Sequence, residues 1–117
     1  MGRRSRARSR EETTAATSDY ADAEGNVLTL RDRLSSGTVE RVQQLESSPA
    51  ASVDDRWQRR EELLFERLAV AWTIAGVPLA GQRELLGRYR MADTDTRRWV
   101  RETVEGHLER HQPEVLA

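Results

Sequence analysis

The sequence predicts an all-α domain: a small bundle of three main helices plus one short helix, preceded by one short extended strand and a disordered N-terminal tail. Three observations carry this expectation. Apolar residues recur at helical spacing in three separate blocks, whereas a single β-prone run, Val27-Leu28-Thr29-Leu30, stands out. The chain has 117 residues, enough for one domain. Its hydrophobic share is 37% and its charged share 33%, so only a small core is expected.

The first 24 residues read as a tail. Residues 1–10 hold five arginines and no acid, and residues 11–30 hold five acids and no base. This gives a basic tip (1–10) and an acidic neck (11–24), with Tyr20 as the one large apolar side chain. Such a segment buries too little to offset an ordering cost of roughly 1–2 kcal/mol per residue. From residue 31 onward fourteen arginines face fifteen acids, so the body is close to neutral. All nineteen basic residues are arginine, a bias that fits a GC-rich coding genome.

The folded part is expected over residues 25–112. Gly25-Asn26 signals a turn into the extended run, which alone is unstable and needs a helix, its own copy or a partner's sheet beside it. Val39, Val42 and Leu45, with Leu34 just before, give a short helix from Thr38 to Leu45, stopped at Ser47-Ser48-Pro49. Ser52 to Asp55 reads as a capping box opening a long helix from Val53 to Ala75. Trp57, Leu64, Leu68, Trp72 and Ala75 form one helical face, and Leu63, Phe65, Ala69, Val70, Ala71 and Ile74 widen it. Gly76 then reads as a C-cap, with Pro78 as the stop. The next helix runs from Leu79 to Met91 with Leu79, Gln82, Leu85, Leu86 and Tyr89 as its stripe. Asp93 or Thr94 caps the last, from Asp95 to His111, with Val100, Val104, His107, Leu108 and His111 on one face. Pro113 ends it, leaving 113–117 as a C-terminal tail.

Chemistry is sparse. The absence of cysteine excludes disulfides, thiolate metal sites and a cysteine nucleophile. Leu68 to Gln82 is the longest uncharged run, too short and too broken by Gly76 and Pro78 to cross a bilayer. No apolar stretch follows the N-terminal arginines, so a cytoplasmic location is expected. Ser35-Ser36 and Ser47-Ser48 read as turn and cap residues, and no glycine-rich phosphate loop is present. Glu11-Glu12, Asp54-Asp55 and Glu61-Glu62 sit in polar surroundings, where nothing is expected to raise a carboxyl pKa. His107 and His111 have the spacing of two ligands on one metal, but no third ligand is suggested. They read as core-edge residues near a helix C-terminus. No enzyme, cofactor or metal is therefore expected.

The block Trp57-Gln58-Arg59-Arg60-Glu61-Glu62-Leu63-Leu64-Phe65-Glu66-Arg67-Leu68-Ala69-Val70-Ala71-Trp72-Thr73-Ile74 resembles the central helix of small tail assembly chaperones from actinobacterial phages and prophages. The Gly76-Val77-Pro78-Leu79 turn, Leu85-Leu86 and the Arg97-to-His111 helix follow the same order, and Gly25-to-Arg31 is similar to the family's short N-terminal β element. Larger relatives carry more β structure there than one strand. The resemblance implies a non-enzymatic protein that holds a helical tape measure protein soluble during tail assembly. It implies a groove lined or floored by Trp57, Leu64, Val100 and Val104. Trp57 and Trp99 lie at polar helix beginnings, and both read first as core and otherwise as part of a partner surface. Self-association is also compatible with the apolar excess. Two other readings stay open: a small DNA-binding protein using Arg3, Arg4, Arg6, Arg8 and Arg10 on phosphates, and an antitoxin or adaptor docking on one protein.

Overall fold

The computed structural model describes residues 17–46 and 52–116. It corrects the all-α expectation. Among the described residues, four helices accompany a four-stranded antiparallel sheet of order β1-β2-β3-β4. The strands are β1 (Thr17–Ala21), β2 (Val27–Arg31), β3 (Ala69–Ile74) and β4 (Val77–Leu79). The helices are α1 (Ser36–Glu46), α2 (Val53–Leu68), α3 (Gln82–Met91) and α4 (Thr94–His111), and a 3₁₀ turn at Pro113–Val115 closes the chain.

Two hairpins build the sheet. In the first, Asp22 turns the chain: its Oδ1 accepts from the Glu24 and Asn26 amides at 2.9 Å each, and Gly25 supplies a φ of 86°. β1 thus lies inside the stretch assigned from sequence to the tail, and order begins ahead of Gly25. The Val27 run is real but is not alone, pairing with β1 on one side and β3 on the other.

The second hairpin falls where one long helix was expected. α2 stops at Leu68 and the chain runs straight into β3. Gly76 is a hairpin turn residue, not a helix C-cap. Ile74 pairs with Val77, and between them Ala75 and Gly76 have φ of 52° and 80°, the two left-handed positions of a type I′ turn. Asn26 Oδ1 accepts from the Ala75 amide at 2.9 Å, tying the two hairpin turns together. Pro78 does not stop a helix; it sits in the edge strand β4, where a missing N–H costs no ladder bond.

The helical appearance of residues 69–75 has a specific origin. The β2–β3 register jumps from Thr29↔Ala71 to Leu30↔Ala69, a bulge that leaves Val70 unopposed. Ala69 and Trp72, three apart, are consequently both buried. Period-two alternation is replaced by the spacing of a helix face.

Leu28, Leu30, Ala69 and Trp72 are buried at the sheet, and Leu64, Phe65, Leu68, Leu85, Tyr89, Val100, Val104 and Leu108 join them in the core from α2, α3 and α4, with Val42 from α1. Phe65 stacks on Tyr89 at 4.8 Å and meets Trp72 edge-on at 5.8 Å. Two helix caps follow the sequence expectation. Ser52 Oγ accepts from the Asp55 amide at 3.1 Å, and Asp93 Oδ1 from the Thr96 amide at 2.7 Å. The C-terminal segment is not a free tail, because Val115 is buried in the core.

Ala75 is the non-glycine residue with positive φ among those described. Ala75→Asn keeps the turn and suits the left-handed position, so it is expected to stabilise by ~0.5–1 kcal/mol in urea unfolding. Inside a helix the same change would destabilise.

Candidate functional site

Two places concentrate polar chemistry: a cleft between the helices and a seam joining α4 to the sheet. The cleft, of about 780 Å³, is bounded by Asp54, Trp57, Gln58, Glu61 and Glu62 of α2, Tyr89 and Arg90 of α3, and Thr94, Arg97 and Arg101 of α4. At its foot Leu64, Val100 and Val104 line a smaller recess together with Trp57. These three are 1–5% exposed and form floor, while Trp57 is 51% exposed and forms the rim. Four of the five residues singled out for a partner therefore come together. Trp99 does not; it is half-buried against the core. Arg3, Arg4, Arg6, Arg8 and Arg10 lie outside the described residues.

Electrostatics in the cleft are balanced, with three carboxylates and three guanidiniums on its walls. Arg90 meets Glu62 at 2.7 Å, and that hydrogen bond holds the Glu62 carboxyl below its ordinary pKa. Arg101 lies over the Trp57 ring at 5.1 Å and places its Nε 3.2 Å from Glu61 Oε2. That oxygen is buried and accepts no hydrogen bond from the described residues. Burial pushes the Glu61 carboxyl up to about 7 despite the pull of Arg101, and Glu105 adds to the rise. The expectation that Glu61-Glu62 sits in surroundings that raise no pKa is corrected. The two neighbours point into different environments, Glu61 largely buried beside Arg101 and Glu62 hydrogen-bonded to Arg90, which a reading of adjacent residues could not separate.

In the seam His107 is fully buried. Its Nε2 lies 2.6 Å from the Arg31 carbonyl, which can only accept, so Nε2 carries the proton. Nδ1 then accepts from the Tyr20 hydroxyl at 2.5 Å, and Tyr20 in turn accepts from Arg110 at 2.9 Å. Burial is the main force holding the His107 pKa below its ordinary value, with His111 and Arg110 adding to it. Gln112, also buried, accepts from the Leu34 amide at 2.7 Å and donates to the Leu34 carbonyl at 3.2 Å. Arg33 donates to the His111 carbonyl at 2.8 Å, at the C-terminal end of α4. Sequence reasoning missed Tyr20, Asp32 and Gln112, whose partners are roughly 80 residues away along the chain. His111 stands 3.8 Å from Asp32, so an acid does approach the histidine pair from a distant segment.

No family model, curated protein or solved structure matches the chain. The cleft and the seam therefore stand on their own geometry.

Glu61 gives a pH dependence with a defined sign. Its folded pKa is raised, so its contribution to stability is complete below the ordinary carboxyl value of 4.5 and is lost as pH rises towards about 7. Glu61→Gln removes that loss. Urea unfolding at pH 4 is expected to give similar stabilities for the two proteins, and at pH 8 a more stable variant.

Proposed function

We propose that the protein is a non-enzymatic binding module that holds an amphipathic helix of a protein partner, as a tail assembly chaperone holds its tape measure protein. The observation that carries this is the helix-walled cleft: a half-exposed Trp57 over a floor of Leu64, Val100 and Val104. An α-helix is 10–12 Å across with its side chains. A cleft of about 780 Å³ is therefore too small to swallow a helix but takes two or three of its apolar anchors at i, i+3 and i+4. Tryptophan at the rim and arginine on the walls are the residue types that dominate such contacts. The equal count of acids and bases leaves selection to the apolar anchors and keeps long-range attraction for nucleic acid low.

The resemblance to tail assembly chaperones is a second support, and it rests on α2, α4 and the N-terminal strands; its central-helix block is divided here, helical to Leu68 and a strand from Ala69. The β1–β2 hairpin also removes one departure from that family's pattern, in which the N-terminal part holds more than a single strand.

Co-expression with the tape measure protein of the same phage or prophage is expected to yield a complex and more soluble tape measure. Trp57→Ala, at an exposed position, is expected to keep the fold and weaken the complex by about tenfold or more. A tape measure that neither co-purifies nor gains solubility contradicts the proposal.

A further inference from the structure

Among the described residues, four large apolar side chains are exposed, and three of them lie at one end of the helical layer. Val53, 70% exposed, and Trp57, 51% exposed, stand one turn apart at the start of α2, and Met91, 83% exposed, ends α3. Met91 falls between Arg90 and Thr94, which both border the helix-walled cleft, and Val53 precedes Asp54, which does too. The three therefore surround the open end of the cleft. An apolar patch with a polar rim is the ordinary mark of a contact surface.

The two walls run side by side. Leu64 and Val104 share the recess at the foot, Trp57 and Arg101 meet one level above, and Asp54 and Arg97 come next towards the open end. Their charges differ. Asp54 opens the α2 wall and Arg97 the α4 wall. Neighbouring charges are spent inside the molecule: Glu62 on Arg90, Glu61 beside Arg101, and Asp95 with Arg98. Among the described residues Asp54 and Arg97 belong to none of these ion pairs. We propose that the open end of the cleft is the interface of a homodimer, in which a twofold axis sets Asp54 of each protomer against Arg97 of its partner.

A twofold contact brings each point of a surface against the point across the axis. A surface that is acidic on one wall and basic on the other is then complementary to itself. Val53, Trp57 and Met91 meet their own copies between the two charge contacts. A helix of unrelated sequence would need a matching charge pattern of its own, whereas a second copy has it by construction. The formal net charge of −1 leaves little long-range repulsion between protomers. A patch of this size stands at the low end of specific interfaces, which bury about 1,200 Å² in total, so the dimer is reversible and in the micromolar range. A partner helix that takes the cleft competes with the second copy.

The test is sedimentation equilibrium of the full chain alone at low salt, up to about 200 µM. The mass is expected to rise with concentration from that of the monomer towards twice that value. Asp54→Arg and Arg97→Asp, each of which sets like charges face to face, are each expected to weaken the dimer at least about tenfold. Mixing the two variants in equal amounts restores it, because one carries bases on both walls and the other acids. Met91→Glu, at an exposed position, also weakens it while its circular dichroism stays that of the wild type. A monomer at every concentration, charge variants that associate like the wild type, or a mixture no tighter than either variant overturns the proposal. No helix is present in the measurement, so its outcome is independent of whether the cleft binds one.

Discussion

The rest of the fold hangs on one buried imidazole. A fully desolvated His107 stays neutral, because the charged form has no water and faces Arg110 and a second imidazole. A neutral ring has one donor and one acceptor, and both are spent on the sheet: Nε2–H on the Arg31 carbonyl of β2, and Nδ1 on the Tyr20 hydroxyl of β1. Each bond nets only about 0.5–1.5 kcal/mol, but leaving either group unpaired in the core costs about 1–3 kcal/mol. The ring therefore dictates where α4 meets the first hairpin. Gln112 and Arg33 extend the same seam along the exit of β2, and Val115 closes it.

That seam reaches the cleft through the rigidity of a helix. α4 runs 18 residues, so fixing its C-terminal end fixes the rest of it, which carries Arg97, Val100, Arg101 and Val104 over α2. Opposite, α2 is anchored by its direct continuation into β3, whose Trp72 is buried between the sheet and Phe65. The two walls are thus set by separate ties to one sheet. Between them Glu61 is largely buried beside Arg101, with one oxygen that accepts no hydrogen bond from the described residues, a position that a core built for stability alone would fill with an apolar side chain.

Much of the helical half was legible in the sequence. The caps at Ser52 and Asp93 and the stripe of Val100, Val104, His107 and Leu108 all lie where local spacing puts them. The sheet was not, for reasons particular to each strand. β1 is short and polar, and Tyr20, its one large side chain, is paid for by a histidine 87 positions away. β3 hides behind a bulge that spaces Ala69 and Trp72 like a helix face, right after a genuine helix. β4 has three residues, one of them proline. The cleft was half legible. Helical spacing put Leu64, Val100 and Val104 on inward faces and left Trp57 as an anchor, but the wall from Tyr89 and Arg90 needs the true start of α3 and the hairpin before it. The histidine spacing was visible, whereas Asp32 reaches it only because β2 ends beside α4.

His107 joins α4 to both strands as a neutral ring protonated at Nε2. Long-range proton–nitrogen NMR correlation of the side chain, on metal-free protein at pH 7, reads this state directly. The Nε2–H tautomer is expected, with a ring proton slow to exchange and coupled through the bond to the Arg31 carbonyl. A ring protonated at Nδ1, doubly protonated, or averaging between tautomers in solvent would contradict it.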